Sequence, residues 1–147
     1  MRRAGRTTYE HDAAGRLIRK ACKLPSGQTR SWTYAWNAQD QLTKATNPLG
    51  EEWTYAYDPL GRRITKTSPD GKPLTFTWDG TRLAEQATCD GATTTWNYSP
   101  GTHCPLTQTH RELGATRHYA IITDAVGTPT ELLSADGRLA WQHRTTL

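Results

Sequence analysis

The sequence has few aliphatic residues and no long apolar stretch. Hydrophobic residues occupy 35% of the 147 positions, and the mean hydropathy is -0.78. The longest apolar run is Tyr119-Ala120-Ile121-Ile122, whereas a membrane-spanning helix needs roughly 20 apolar residues. We therefore expect neither insertion into a membrane nor the thick core of a helical bundle.

Cysteine is too scarce and too scattered to predict a disulfide framework. The three cysteines, Cys22, Cys89 and Cys104, are odd in number and form no Cys-x-x-Cys pair. Cys104 does lie near three histidines, but the intervals match no zinc pattern. Those histidines are His103, His110 and His118. We predict no metal site.

Signatures of catalysis and of cofactor binding are also missing. Ser134, His118 and Asp124 could be imagined as a nucleophile, a base and an orienting acid, but no Gly-x-Ser-x-Gly elbow accompanies them. Ser134 instead falls in the turn sequence Ser134-Ala135-Asp136-Gly137. Gly-x-Gly-x-x-Gly is absent, so no phosphate-binding loop is predicted. We expect a protein that is not an enzyme and has no cofactor.

Charge and the first residues restrict the protein only weakly. Eighteen basic and fourteen acidic residues give a net charge of +4, which tolerates an anionic partner without requiring one. The basic start Met1-Arg2-Arg3 is not followed by an apolar segment, so no signal peptide is predicted.

The sequence is rich in aromatic and turn-forming residues. Six Trp, six Tyr and one Phe provide large side chains to bury, and twelve Gly and eight Pro provide turns. Disordered segments are poor in aromatics, and aromatic residues with Thr favour strands. The composition therefore predicts an all-β protein.

An internal repeat specifies the type of sheet. The segments Trp32-Thr33-Tyr34-Ala35-Trp36-Asn37, Trp53-Thr54-Tyr55-Ala56-Tyr57-Asp58 and Leu74-Thr75-Phe76-Thr77-Trp78-Asp79 align with a spacing of 21 residues. An earlier copy begins at Tyr9, and a later, degenerate copy begins at Trp96. Bulky residues fall at every second position, which predicts strands with one aromatic face. We expect that face to form a buried core.

Turn signals follow each of these strands. Examples are Asp12-Ala13-Ala14-Gly15 and Asp58-Pro59-Leu60-Gly61, in which Asp can accept backbone N–H groups and Gly can adopt positive φ. A more polar strand and a second turn then follow. The sequence predicts a repetitive antiparallel ribbon of β-hairpins.

These motifs resemble those of a bacterial family. Tyr55-Ala56-Tyr57-Asp58-Pro59-Leu60-Gly61-Arg62 resembles the YD repeat of RHS proteins, and Tyr9 to Leu17 is a second copy. The segment from His118 through Gly127-Thr128-Pro129 to Leu132 resembles the element that closes an RHS core.

The resemblance implies a curved sheet that forms a segment of a hollow β-shell around a C-terminal toxin. It implies delivery to a competing or host cell, often through a type VI secretion machine. The protein would be cytoplasmic until exported, or secreted or at the cell surface. Its partners would be the remainder of the shell and the cargo. Some relatives cleave themselves at Asp-Pro-x-Gly-Leu, but Asp58-Pro59-Leu60-Gly61 fits a turn better, and no self-cleavage is predicted.

Two other functions stay open at this point. Exposed Trp and Tyr rings could stack on sugars, which would make a carbohydrate-binding or cell-surface module. Basic residues alternate with aromatics, as in Arg30-Ser31-Trp32-Thr33-Tyr34, and such mixtures also bind nucleic acids. The strict period of two favours a structural role for these rings instead.

The predicted organisation has four parts. Residues 1–6 form a flexible N-terminus, 7–100 the hairpin array, 101–116 an irregular connection, and 117–147 a closing hairpin that is truncated. The residues predicted to define the repeats structurally are Tyr9, Asp12, Gly15, Arg16, Tyr34, Trp36, Tyr55, Tyr57, Asp58, Gly61, Arg62, Phe76, Trp78, Asp79, Asp124, Gly127, Thr128 and Pro129.

Overall fold

The computed structural model describes residues 2–143, which form fourteen β-strands. None of these residues belongs to a helix with the length and apolar character needed to cross a membrane. The chain divides into two compact units, Met1–Pro73 (unit 1) and Leu74–Leu147 (unit 2). Each unit is described by itself.

Unit 1 is a run of antiparallel strands in which each strand pairs with the next one in sequence. The strands are β1 (Arg2–Ala4), β2 (Thr7–His11), β3 (Leu17–Lys23), β4 (Thr29–Trp36), β5 (Leu42–Thr46), β6 (Glu52–Tyr57) and β7 (Arg63–Thr67).

Unit 2 repeats this arrangement, again with sequential antiparallel neighbours. Its strands are β8 (Pro73–Asp79, whose first residue ends unit 1), β9 (Arg82–Thr88), β10 (Thr93–Tyr98), β11 (Pro105–Glu112), β12 (Ala115–Thr123), β13 (Pro129–Ser134) and β14 (Leu139–Gln142). The predicted all-β array of antiparallel hairpins is confirmed.

Alternating burial explains why the aromatic segments are strands. In β6, Trp53, Tyr55 and Tyr57 are half-buried, while Thr54 and Ala56 between them are exposed. The same alternation runs through β4 and β8. Successive strand residues point to opposite sides of a sheet, so the period of two seen in the sequence becomes one aromatic side and one polar side.

The aromatic side is less buried than the sequence predicts. Phe76 is 9% exposed, but the other aromatics of β4, β6 and β8 are only half-buried. Among residues 2–143 no large side chain is fully buried. The apolar face of a sheet becomes fully buried when a second layer of structure packs on it. Within each unit, the sequential hairpins form a single layer.

A β-bulge interrupts each repeat next to its second aromatic residue. In β6, Ala56 pairs with Thr65 and Tyr57 pairs with Arg63, so Ile64 on β7 has no residue opposite it. Equivalent register shifts occur in β2, β4, β8 and β10. A bulge bends its strand and increases the local twist, so these shifts impose the same distortion on successive hairpins.

Two segments that were expected to be flexible or irregular contain strands. Residues 2–4 form β1, because Gly5 adopts φ 56° and allows a tight turn into β2. The expected irregular connection over 101–116 is mostly β11 and the start of β12. Its Thr residues favour strands, and Pro105 occupies the first strand position, where the missing N–H is tolerated.

The C-terminal part is also more extensive than one hairpin. The segment predicted over 117–147 contains most of β12 together with β13 and β14, and β13 pairs with both neighbours. Residues 144–147 lie outside the described residues.

Candidate functional site

The aromatic side of unit 1, called here the aromatic face, is defined by strand register. Tyr9 on β2 is directly opposite Lys20 on β3, which is opposite Trp32 on β4. Tyr34 on β4 is likewise joined through Ala45 to Trp53 on β6. Directly opposed residues share one side of a sheet, so these rings share one face.

Burial and charge support this arrangement of the tyrosines. Burial raises the pKa of the Tyr34 hydroxyl, and the nearby Tyr55 and Tyr9 hydroxyls act in the same direction. The strand register accounts for this effect, because it places Tyr9, Tyr34 and Tyr55 on the aromatic face.

Cationic side chains cover several rings. The Lys20 ammonium lies 5.2 Å from the centre of the Trp32 ring, and the Arg63 guanidinium lies 5.7 Å from that of Tyr55. In unit 2, Arg82 lies 5.9 Å from the Tyr98 ring. These separations are within the cation–π range.

The second aromatic of a repeat connects its hairpin to the preceding one. Trp36 donates from Nε1 to the Leu17 carbonyl oxygen at 2.8 Å, and the Tyr57 hydroxyl donates to the Leu42 carbonyl at 2.9 Å. In unit 2, the Tyr98 hydroxyl donates to the Leu83 carbonyl oxygen at 2.9 Å. Burial raises the pKa values of Tyr57 and Tyr98. These rings therefore act as ties between hairpins, a role that the repeat alone did not predict.

The Tyr-Asp element forms a hydrogen-bonded turn. Asp58 Oδ1 accepts the backbone N–H groups of Leu60 and Arg62, both at 2.9 Å, and Oδ2 accepts from Arg62 Nε at 2.7 Å. Gly61 adopts φ 81° and donates its N–H to the Asp58 carbonyl at 3.0 Å. The Asp58-Pro59-Leu60-Gly61 segment thus forms a turn.

Hydrogen bonding favours the charged form of these aspartates. Partial burial would raise the pKa of Asp58, but the backbone and side-chain hydrogen bonds from Arg62 outweigh it and lower the pKa. The Arg16 backbone N–H has the largest effect on Asp12 and lowers its pKa. The Asp12 turn has the same geometry, with Gly15 at φ 82°.

An asparagine can replace the aspartate in this turn. Asn37 Oδ1 accepts the backbone N–H groups of Gln39 and Gln41, and its Nδ2 donates to Gln41 Oε1 at 2.7 Å. Asp40 takes the turn position that Gly15 and Gly61 hold in the other turns, and it also adopts positive φ, 59°. The turn therefore tolerates a neutral version in which Asn and Gln replace Asp and Arg.

The arginine of one repeat also reaches the next turn. Arg16 Nη1 donates to the Asn37 carbonyl at 2.9 Å and to Asp40 Oδ1 at 2.8 Å. Both turns lie at the same edge because antiparallel hairpins alternate edges. Arg16 thus connects the Asp12 turn to the Asn37 turn.

The closing element contains a related turn in unit 2. Asp124 Oδ1 accepts the backbone N–H groups of Val126 and Thr128, at 3.0 and 2.8 Å, and Gly127 adopts φ 86°. Pro129 then begins β13. Asp79 instead closes a shorter turn, in which it is opposite Arg82.

The residues considered for metal binding or catalysis are dispersed over different hydrogen-bonding pairs. Their contacts are His103 with Thr81, Cys104 with Thr123, His110 with Thr94, His118 with Thr109, and Ser134 with Asp136. Within residues 2–143, no three His, Cys, Asp or Glu side chains are grouped closely enough to hold a metal ion.

Comparison with known proteins identifies the repeat. Residues 11–52 and 36–73 match the family model for the RHS Repeat. The protein "Probable deoxyribonuclease RhsB" of Dickeya dadantii (strain 3937) is 34% identical over 141 residues, covering 92% of this chain. "Probable deoxyribonuclease RhsA" of the same strain is 33% identical over 141 residues.

The chain is an RHS/YD-repeat protein. It spans 10% of the length of either Dickeya relative, so the match concerns a repeat region. The Asp12 turn lies within the first matched segment and the Asp58 turn within the second, and in both turns the aspartate accepts from an arginine four residues on.

Solved structures show the same fold. A crystal structure of TcdB2-TccC3-Cdc42 superimposes with a TM-score of 0.63 at 13% identity, covering 87% of this chain and 8% of that chain. A crystal structure of TcdB2-TccC3 without its hypervariable C-terminal region also gives 0.63, at 14% identity and 88% coverage of this chain. The RHS/YD-repeat chain therefore has the hairpin architecture found in those proteins.

Proposed function

We propose that this chain is a wall segment of an RHS shell that encloses or displays a C-terminal toxin. The observation that carries the proposal is the tie between successive hairpins, in which Trp36 and Tyr57 each donate to a carbonyl of the preceding hairpin. Such ties fix each repeat on its neighbour, which is how a repeat protein extends a surface.

The strand edges support a place within a longer wall. In the described structure β1 pairs with β2 and β14 pairs with β13, so each of these strands presents one edge for a further strand. Unpaired edges are templates for strand addition. In a wall, flanking repeats would occupy these edges.

The names of the relatives are the reason why the proposed function includes an enclosed toxin. They are named as probable deoxyribonucleases, and the region similar to this chain is 10% of each. We infer that the chain supplies wall and that any catalytic activity belongs to another part of such a protein. Export by a secretion system, type VI among them, to a competing or host cell follows from this proposal, as does a cytoplasmic location before export.

A segment exchange tests the wall role. The 141-residue region of the Dickeya protein RhsB that matches this chain would be replaced by the chain, and the product imaged by cryo-electron microscopy. We expect β1 and β14 to pair with host strands and the host wall to continue through the insert. A deletion of the same region serves as the control.

The exchange has a clear contrary result. If the insert hangs outside a host wall that closes without it, or if insertion and deletion disrupt the host equally, the chain is not a wall segment. A variant without two of the rings, Tyr34→Ala with Tyr55→Ala, should fail to integrate because it removes apolar surface from the aromatic face.

A further inference from the structure

The aromatic face of unit 1 carries basic strand residues. Register places Arg2 opposite Tyr9, Lys20 opposite Trp32, and Lys66 opposite Tyr55. Arg30, two residues before Trp32 on β4, lies on the same side. Arg63 lies opposite Tyr57 and over the Tyr55 ring. Five cations therefore lie among the rings of the aromatic face.

The acidic strand residues of unit 1 lie on the other side. Across β1–β7 these are Glu10 and Glu52. Glu10 is opposite Arg19 and Glu52 opposite Thr46, both on the polar side. There Glu10 accepts from Arg19 at 2.9 Å, and Glu52 pairs with Lys44 at 3.0 Å. On the polar side both strand carboxylates are paired with cations, whereas the charged strand residues of the aromatic face are all basic.

Two lysines of the aromatic face are partly buried without a balancing carboxylate. Lys20 and Lys66 are half-buried, and neither forms an ion pair within residues 2–143. Removal of a charge from water is unfavourable unless a partner compensates. Such lysines on a face whose rings are half-exposed form a surface complementary to an anion with apolar parts.

We propose that the aromatic face of unit 1 binds a carboxylate-rich segment of the polypeptide that the wall encloses. This inference rests on the proposed wall function and adds the chemistry of the enclosed partner. Glu and Asp side chains of that segment would pair with Lys20 and Lys66, and its aliphatic groups would cover the rings of Tyr34 and Trp53.

The geometry favours a polypeptide over a nucleic acid. Nucleic-acid stacking needs ring faces that are open to a base, but Lys20 already lies over Trp32. Trp36 and Tyr57 direct their polar atoms to backbone carbonyls of the chain itself. A carboxylate needs only the ammonium groups, and Lys20 and Lys66 are half-buried, not fully buried.

A binding measurement with the full 147-residue chain tests the inference. The probes are fluorescent oligoglutamate, oligoglutamine of equal length, and single-stranded oligothymidylate of similar contour length, followed by anisotropy at low salt. We expect oligoglutamate to bind most tightly, with an affinity that falls as salt screens the charges.

Matched variants locate the binding to one side of the sheet. Lys20→Gln with Lys66→Gln removes two charges from the aromatic face and should weaken oligoglutamate binding by about fivefold or more. Lys23→Gln with Lys44→Gln removes two charges from the polar side and should change the affinity for oligoglutamate by no more than about twofold. Lys20→Arg with Lys66→Arg keeps the charge and should retain binding, which separates charge loss from misfolding.

Three results would overturn the inference: absence of oligoglutamate binding, equal weakening by the two glutamine variants, or tighter binding of oligothymidylate, which would identify a nucleic-acid surface. None of these results bears on wall integration, which the segment exchange measures separately. Conversely, a chain that binds oligoglutamate through Lys20 and Lys66 but fails to integrate would contradict the wall function alone.

Discussion

In unit 1, Lys20 and Lys66 lie on the aromatic face without a strand carboxylate, whereas unit 2 places Glu112 and Arg117 on the side of Phe76, 3.1 Å apart. Burial differs as well. Phe76 and Ile121 of unit 2 are 9% and 8% exposed, while the rings of β4 and β6 are half-buried. The repeat thus preserves the positions of the rings while the residues between them set charge and burial.

The strand after each aromatic strand accounts for much of this difference. The residue four positions after the turn residue Arg16, Gln41 or Arg62 is Lys20, Ala45 or Lys66, and it faces a ring in each case. In unit 2 the residue opposite Phe76 is the neutral Gln86. One variable position per repeat therefore changes the chemistry of the face without changing the fold.

The largest expected loss of stability comes from removing a buried ring of unit 2, compared with a half-buried ring of unit 1. Phe76→Ala should lower the free energy of unfolding by about 3 kcal/mol, because it deletes a buried ring. Tyr34→Ala should cost less, since that ring is already half in water. Urea unfolding followed by tryptophan fluorescence measures both. Equal costs would show that the two faces do not differ in burial.

The turns provide the next contrast. Gly61→Val should destabilise by about 1 kcal/mol or more, because the residue adopts φ 81°. Gly91→Val in unit 2 meets the same strain at φ 88°, but a Cβ at Gly91 has open space, whereas one at Gly61 would lie 3.3 Å from Gln41 Nε2. Thermal unfolding should show both losses, with the Gly61 loss at least as large. An unchanged midpoint in either variant would contradict its turn geometry.

The ties between hairpins should contribute equally in the two units. Tyr57→Phe and Tyr98→Phe each remove a hydroxyl that donates to a carbonyl at 2.9 Å, so each should cost about 1 kcal/mol. Chemical denaturation of the two single variants makes the comparison. If only one variant is destabilised, the tie is not a shared feature of the repeat.

Acid should weaken the Asp58 turn. The folded pKa of Asp58 is lowered below its ordinary value of 3.8, so its stabilising contribution is present above that value. The contribution is lost as the pH falls through the folded pKa. Asp58→Asn should therefore reduce the acid sensitivity of the thermal midpoint as the pH falls below 3.8.

A double variant tests the same turn at neutral pH. Asp58→Asn with Arg62→Gln reproduces the Asn37–Gln41 pair and should be more stable than Asp58→Asn alone, in which two donors face each other. A double variant less stable than the single one would show that the two kinds of turn are not equivalent.

Sequence predicted the hairpin array because its signal is repeated and local. Tyr34, Tyr55 and Phe76 recur at fixed spacing with bulky residues at every second position, and Asp58 and Gly61 mark a turn with a known mechanism. The bulges were missed because the inserted residues share no chemistry: Ile18, Thr43, Ile64 and Ala84.

Other features depended on neighbours that the sequence does not reveal. The tie from Tyr57 to Leu42 joins residues in different hairpins, and nothing local identifies the acceptor. Pro105 and the threonines after it suggested a loop by composition, although their strand, β11, is specified by pairing with β10 and β12. Carbohydrate and nucleic-acid binding stay predictions; the half-burial of Trp32, Trp36 and Trp53 favours neither.

The most direct test of the account is whether large rings of different hairpins share one side of the sheet in the stated register. Ala45 lies opposite both Tyr34 and Trp53, so its methyl group can be observed by nuclear Overhauser spectroscopy on ¹³C-methyl alanine and assigned with Ala45→Ser. In the stated register, this methyl contacts the Tyr34 and Trp53 rings together. Contacts to Ala35 and Thr54 in their place would show that the rings point to the opposite side and would contradict a shared aromatic face.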